Sequence, residues 1–347
     1  MRKLASIQRI TAIEPVDGAD NIEIVKVLGW QCVAKKGEFQ QGDSCVYFEI
    51  DSFLPIKPEF EFLRASCYKK NDLMGKGFKL RTQKFRGQIS QGLCLPITVL
   101  DEADRNLPVG TDVSEILGVR KFEIPEMVTT GGNVIGELPF FVPHTDEVRI
   151  QAEPELFDEF KGLPYYITTK CDGSSHSVAW DKDGLHVTGH NYEYKDDGSS
   201  SFYEFVKKKN LAEKLKLYCE LEDISTIVIQ GEYVGPDIQK NRMKLKAPDW
   251  FIFNVEIDGK RQGFDKLTKI SDITGCIHVP IEEIGDDLTL KYPNIEYLLK
   301  RAEGEYFYGG QKEGIVIRPQ EPVQSNILRT YLSMKVINNK YLLKNKD

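Results

Sequence analysis

Through the first hundred residues, apolar and polar positions alternate with a period near two. Val25, Val27, Trp30 and Ala34 recur between polar neighbours, with Leu28 and Val33 loosening the pattern. Gly37 and the Gly42-Asp43 pair place turns before "CVYFEI". Short β-prone runs between Gly, Asp and Pro predict an all-β segment, a small barrel. Residues 101–140 lose the periodicity. "NLPVGTDVSE" and "TTGGNVIGELPFFVPHTDE" are rich in Gly, Pro and Thr, and predict a linker with one short helix at "SEILGV". From residue 141 the pattern is mixed. "YYITTK", "HSVAW", "LHVTGH", "TIVIQGEYV", "WFIFNVEI" and "EGIVIRP" predict strands, and "DKDG" a hairpin turn. "FYEFVKKKNLAEKLKLY" and "IEYLLKRAE" carry helical spacing. Neighbouring strands outnumber strand–helix alternations, which favours an antiparallel α+β domain. The expected division is therefore 1–100, a linker at 101–140, and 141–347.

Composition narrows the class. A chain of 347 residues has room for two domains. No apolar run is long enough to span a bilayer, so no membrane partner is expected. The basic start "MRKLASIQRI" leads into no apolar stretch, so no secretory signal is expected. Seven scattered cysteines, an odd count without CxxC, suit a reducing intracellular compartment, cytoplasm or nucleus. Five histidines form no HExxH pair, which argues against a structural transition-metal site. The net charge of −7 does not suggest a purely electrostatic nucleic-acid binder. Local basic patches are still compatible with it. "GKGFKLRTQKFRG" carries Lys76, Lys79, Arg81, Lys84 and Arg86, with Phe78 and Phe85 between them. Cations with interleaved aromatics suit a nucleic-acid backbone and stacked bases. A solvated edge strand kept soluble by lysines explains the same residues equally well.

One short stretch raises a chemical question. "ITTKCDGSS" puts Lys170 after a β-prone run, with Asp172 and Gly173 close behind. A lysine attacks phosphorus only as the neutral amine, so burial or nearby positive charge must lower its pKa. Alone, KxDG is a weak signal, and a strand-end lysine in a turn is the plainer reading. Neither phosphate-cradle motif, GxGxxG nor GxxxxGK[ST], is present. The order of later segments adds weight. Glu232 ends a β run in "GEYVG", "FIFNVEI" follows, Glu313 opens "EGIVIRP", and Lys335 sits in "LSMKVINNKYL".

This series resembles the nucleotidyltransferase motifs of ATP-dependent polynucleotide ligases. "KCDG", "GEYVG", "FIFNVEI", "EGIVIRP" and "SMKVIN" match the five motifs in order. "TDEVRIQ" upstream and "GHNYEYK" downstream of the first motif are similar to the RNA ligases of the Deinococcus and Naegleria type. "GADNIEIVKVLGW", "GDSCVYFEIDSFLP" and "QISQGLCLPI" resemble that family's N-terminal domain. The fold this implies is α+β: an N-terminal OB-fold β-barrel, then a mostly antiparallel, ATP-grasp-like covalent nucleotidyltransferase domain.

Carried over by position, the resemblance implies Lys170 as the nucleophile on the α-phosphate of ATP. Asp172, Glu232, Glu313 and Lys335 complete the catalytic set. Arg149, Gln151, Gly173 and Phe253 join Lys170, Glu232, Glu313 and Lys335 in binding ATP, Phe253 by stacking on the purine. Asp172, Glu256 and Glu313 hold Mg²⁺ or Mn²⁺ through water. The expected partner is RNA with 3′-hydroxyl and 5′-phosphate ends, contacted by Lys76, Lys79, Arg81, Lys84, Arg86, His190 and Asn191. Many relatives carry Ser-Arg-Asn where this chain has Gly189, His190 and Asn191. The arginine's contact then falls to protonated His190 or to another residue. Two alternatives stand beside this reading. A non-catalytic OB-type RNA-binding protein would be expected to lack Lys170 or Lys335. A DNA ligase or capping enzyme usually carries its OB domain after the fifth motif, where about a dozen residues remain here.

Overall fold

A computed structural model describes residues 2–123 and 132–344. The described residues form two compact units. The first takes residues 2–123, 151–154 and 342–344; the second takes 132–150 and 155–341.

The first unit contains β1 (Ala5–Arg9), β2 (Ala12–Pro15), β3 (Ile22–Val27), β4 (Trp30–Lys35), β5 (Ser44–Phe48), β6 (Ser52–Leu54), β7 (Tyr68–Asn71), β8 (Gly75–Lys79), β9 (Gln83–Phe85), β10 (Gln88–Ser90), β11 (Leu93–Pro96) and β12 (Arg120–Lys121). They pair as β1-β5-β11, β2-β3-β4, β12-β6-β8-β7 and the ribbon β9-β10. No closed barrel appears among the described residues; the β-rich expectation is met by separate antiparallel sheets. In β4 the alternation is clean: Trp30, Cys32 and Ala34 join Val25 and Val27 in one core. The stretch expected to be linker begins inside this unit. Val113, Leu117 and Val119 are buried in its second core, and Ser114–Leu117 is the short helix of "SEILGV". Sparse apolar residues anchor this stretch without any period to reveal it.

The basic ribbon divides in the same way. Lys76, Lys84, Arg86 and Phe85 are exposed, but Phe78 is fully buried core and Lys79 is also buried. The Lys79 ammonium lies 4.3 Å from the Phe122 ring centroid. The expected single row of cations and stacking rings therefore loses Phe78 and Lys79. The end of β8 is covered on both faces, which two-residue alternation does not anticipate.

The second unit holds β13 (Val134–Glu137), β14 (Tyr165–Lys170), β15 (Ser174–Asp181), β16 (Gly184–Thr188), β17 (Tyr192–Tyr194), β18 (Ile227–Val234), β19 (Asp249–Ile257), β20 (Lys260–Arg261), β21 (Ile281–Gly285), β22 (Gly314–Pro319) and β23 (Met334–Ile337). One sheet runs β13-β17-β16-β15-β18-β19-β20, the other β21-β14-β22-β23. Neighbours in both sheets are antiparallel. The single helical pattern from Phe202 to Tyr218 is two helices, Ser201–Lys208 and Leu211–Glu222, broken where Asn210 takes φ 55°. Ser200 caps the first, its hydroxyl accepting the Tyr203 N–H at 3.1 Å. These helices, with Phe264–Thr274, pack on the seven-stranded sheet through Phe202, Leu215 and Leu267. A second core lies on the smaller sheet, and a third joins Cys171, Val234, Met243, Phe251, Val279 and Tyr306.

Phe202 centres the largest core. Its ring stacks on His176 at 4.3 Å and meets Tyr233 and Trp250 edge-on at 5.1 and 5.4 Å. Phe202→Ala is expected to destabilise the second unit by about 3–5 kcal/mol. Urea unfolding followed by tryptophan fluorescence tests this; a loss under about 1 kcal/mol would show that the cluster repacks.

Candidate active site

Antiparallel register builds the site from three neighbouring strands. Thr168 of β14 pairs with Val316 of β22, and Val316 with Lys335 of β23. All three line one cavity of about 360 Å³ in the second unit. Lys170 lies two residues beyond Thr168 on the same face and ends its strand. The chain then crosses to the larger sheet through Cys171, Asp172 and Gly173. A side chain at Gly173 would place Cβ 2.3 Å from the Tyr233 carbonyl oxygen, so only glycine permits this crossing. The Gly173 N–H donates to Glu232 Oε1 at 2.9 Å and fixes that carboxylate on the cavity wall.

Lys170 and Glu313 form the central ion pair, 2.8 Å between Nζ and Oε2. The Tyr306 hydroxyl ties both ends of this pair together. It donates to the Lys170 carbonyl at 3.0 Å and accepts the Glu313 N–H at 3.0 Å. Burial alone would lower the Lys170 amine, but the Glu313 and Glu232 carboxylates more than reverse it, and the pKa rises above the ordinary lysine value. The expected lowering of this pKa is thus not met, because the Glu313 and Glu232 carboxylates face the lysine.

Two other groups sit near neutrality. Burial and the charges of Arg149 and Lys170 push Lys335 down to about 7. Burial pushes Glu232 up to about 7, with Lys170 opposing and Glu313 adding to the rise. The remaining wall is built around Phe253. Ile252 pairs with Gly231 and Asn254 with Gln230, leaving Phe253 as the extra residue of a bulge. Arg318 lies 5.7 Å from its ring centroid and donates to its carbonyl oxygen. Glu147 pairs with Arg318 at 2.5 Å; against the cost of burial, Arg318 and Arg261 hold its carboxyl at about 2.

The cavity gathers Lys170, Gly173, Glu232, Phe253, His190 and Lys335 from the expected residues. Glu313 reaches it through Lys170. Asp172 does not line it; its carboxylate is 2.5 Å from Arg242. Arg149 does not line the cavity, but its charge acts on Lys335; the groups flanking it pair with Lys335, whose N–H donates to the Val148 carbonyl at 2.8 Å. Gln151 belongs to the first unit, where its amide donates to Gln91 at 3.4 Å and is 1% exposed. Glu256 is past the bulge, beside Asn254 and 3.9 Å from Arg261, and lines no part of the cavity. His190 stands 3.7 Å from Asp146, and Asn191 is exposed outside the cavity. The sequence reading assigned no role to Glu147, Arg318, Tyr306 or Arg242. Glu147 and Arg318 lie within quoted motifs, which was the available signal; their pairing across 171 residues was not visible.

Among the described residues no group of three His, Cys, Asp or Glu side chains could hold a metal directly. The oxygen-only set Glu232 and Glu313 fits a hard cation that keeps most of its water.

A family model for an OB-fold domain matches residues 4–97, and one for RNA ligase matches residues 163–337. No curated protein sequence matches the chain. Solved structures of Naegleria gruberi RNA ligase are similar over nearly the whole chain. A variant without ligand is 33% identical, with TM-score 0.89, covering 100% of this chain and 99% of that one. The ligase with PPi is 34% identical at TM-score 0.88, covering 100% of each chain. A further variant, with ATP and Mn, is 32% identical at TM-score 0.88, covering 99% of each chain. The chain belongs to the RNA ligase family, with an OB-fold domain preceding the ligase domain.

The shifted carboxyl predicts a pH dependence. Glu232 binds a proton in the folded state up to about 7, but unfolded only to about 4.5. Its stabilising contribution is therefore full below 4.5 and lost as pH rises through 7. Glu232→Gln should flatten this fall in the stability of the second unit, measured by urea unfolding between pH 4.5 and 7.5. An unchanged slope would show that the carboxyl ionises normally.

Proposed function

We propose that this chain is an ATP-dependent RNA ligase joining 3′-hydroxyl and 5′-phosphate ends, at nicks in duplexes, through lysyl-AMP and RNA-adenylate intermediates. The observation that carries this reading is Lys170, set at a strand end inside a cavity, with Glu313 at 2.8 Å and a second buried lysine, Lys335, on the same wall.

In the first step Lys170 Nζ attacks the α-phosphorus of ATP. The N–P bond forms as the P–O bond to pyrophosphate breaks. In the second, a 5′-phosphate oxygen of RNA takes AMP from Lys170. In the third, the 3′-hydroxyl attacks the phosphorus of the RNA 5′-phosphate, forming the phosphodiester as the bond to AMP breaks. These displacements need in-line positioning and charge neutralisation more than further covalent chemistry. Phe253, braced by Arg318, offers a face for the purine. Lys335, charged by the approach of phosphates, neutralises the α-phosphate. Glu232 and Glu313 would hold a divalent cation through solvent, and its positive charge there would lower the Lys170 pKa. Asp172, paired with Arg242, holds the turn that follows the nucleophile. In the first unit, exposed Lys76, Lys84, Phe85 and Arg86 suit contact with RNA. Seven free, buried cysteines support work in a reducing intracellular compartment.

Incubation with α-labelled ATP and Mg²⁺ followed by denaturing electrophoresis tests the reading. Label should stay on the wild-type protein and vanish in Lys170→Ala; label retained by the variant would put the nucleophile elsewhere. A second outcome concerns protons. Phosphates should return Lys335 from about 7 toward its ordinary 10.5, so ATP binding should take up protons near pH 7.5. Calorimetry in buffers of different ionisation enthalpy reads this uptake, and heats independent of buffer would refute it.

A further inference from the structure

Two consecutive aromatic side chains stand in solvent near the cavity: Phe307 is 93% and Tyr308 63% exposed. Their rings meet edge-on at 4.9 Å. Such an exposed pair adds nothing to a core and leaves two ring faces open to solvent. It is displayed by a tight hairpin. Glu305 pairs with Gln311, the Gly309 N–H donates to the Tyr306 carbonyl at 2.8 Å, and the Tyr306 N–H donates to the Gly310 carbonyl at 2.8 Å. The residue before the pair is Tyr306, whose hydroxyl bridges Lys170 and Glu313. The hairpin tip thus begins at the residue after the tyrosine that braces Lys170.

A basic segment packs beside it. Residues 237–246 carry Lys240, Lys244 and Lys246, all exposed, against the acids Asp237 and Glu305. The segment has a defined shape. Asp237, Gln239, Asn241 and Lys244 take positive φ of 64°, 49°, 41° and 55°. Asn241 clamps Leu245 twice, donating to its carbonyl at 2.9 Å and accepting its N–H at 3.0 Å. Met243 shares a buried core with Tyr306. A Cβ on Gly310 would fall 2.5 Å from the Arg242 carbonyl oxygen, and one on Gly309 would fall 3.2 Å from Lys244 Nζ. At its other end the segment enters the cavity wall through Ile238 and Gln239. Cavity rim, lysines and aromatic tip are therefore one continuous fixed surface.

We infer that this surface binds a single-stranded stretch of the RNA flanking the nicked duplex, with an unpaired base stacked on Phe307 or Tyr308 and phosphates against Lys240, Lys244 and Lys246. Aromatic faces accept any base, while cations track the backbone. The inference rests on the ligase reading and names the part of the second unit that holds its RNA.

Fluorescence anisotropy with a labelled, 5′-phosphorylated single-stranded RNA tests it on the full chain, with self-adenylation measured on the same samples. Phe307→Ala/Tyr308→Ala should bind RNA roughly tenfold or more weakly, the loss of one stacked base, and still self-adenylate. Lys244→Ala/Lys246→Ala should weaken binding and flatten its dependence on salt. Unchanged RNA affinity in the aromatic variant overturns the inference. So does a wild-type oligomer that the variant turns into a monomer at unchanged affinity, which would make this face a contact between copies. Should the aromatic variant lose adenylation through misfolding, Phe307→Trp carries the test: RNA must quench the added emission, and no quenching overturns the proposal. Wild type that fails to self-adenylate sinks the ligase reading itself. Normal adenylation with unchanged RNA affinity sinks only this surface.

Discussion

The ion pair between Lys170 and Glu313 is the contact on which the site depends. It exists because β14 and β22 run antiparallel with Lys170 opposite Gly314, so the residue before that glycine meets the lysine at the mouth of the cavity. Slipping β14 by one residue would turn Thr168 and Lys170 to the opposite face, away from Val316 and Lys335. The backbone on both sides is held by one buried phenol, Tyr306, which accepts from one strand and donates to the other. Lys170 is thus positioned at a regular strand end, and Glu313 at the residue just before β22 begins.

That arrangement stores charge for chemistry. The pair keeps Lys170 protonated and unreactive at rest, while Lys335 and Glu232 are both drawn to about 7 by burial and by their neighbours. Groups so displaced from their ordinary values destabilise the fold slightly and are characteristic of functional sites. In the proposed reaction, incoming phosphates reverse the balance, since they favour charged lysines and compete with the carboxylates for them. The Glu147–Arg318 pair performs a quieter service: it fixes the edge of the cavity where Phe253 projects from its bulge.

Much of this was legible in the sequence because the residues concerned sit at strand ends. Lys170, Glu232 and Lys335 each belong to a β-prone run, and motif order recovered their association. Phe253 was recovered by motif alone, since nothing in "FIFNVEI" announces a bulge. Glu256, read from the same run, lies beside Arg261 and outside the cavity. Gln151 belongs to the first unit and Arg149 to the second, a change that adjacency in sequence hides. Phe78 and Lys79 read as a surface ribbon until both faces of their strand proved covered. Arg242, 70 residues from Asp172, could not be inferred from either residue's surroundings in the sequence.

The central claim is that one lysine amine carries the nucleotide. Peptide mapping by mass spectrometry after incubation with ATP and Mg²⁺ tests it most directly. The account predicts a single AMP on the peptide containing Lys170, joined through an acid-labile, alkali-stable phosphoramidate. AMP found on another peptide, or joined through an alkali-labile ester, would contradict it.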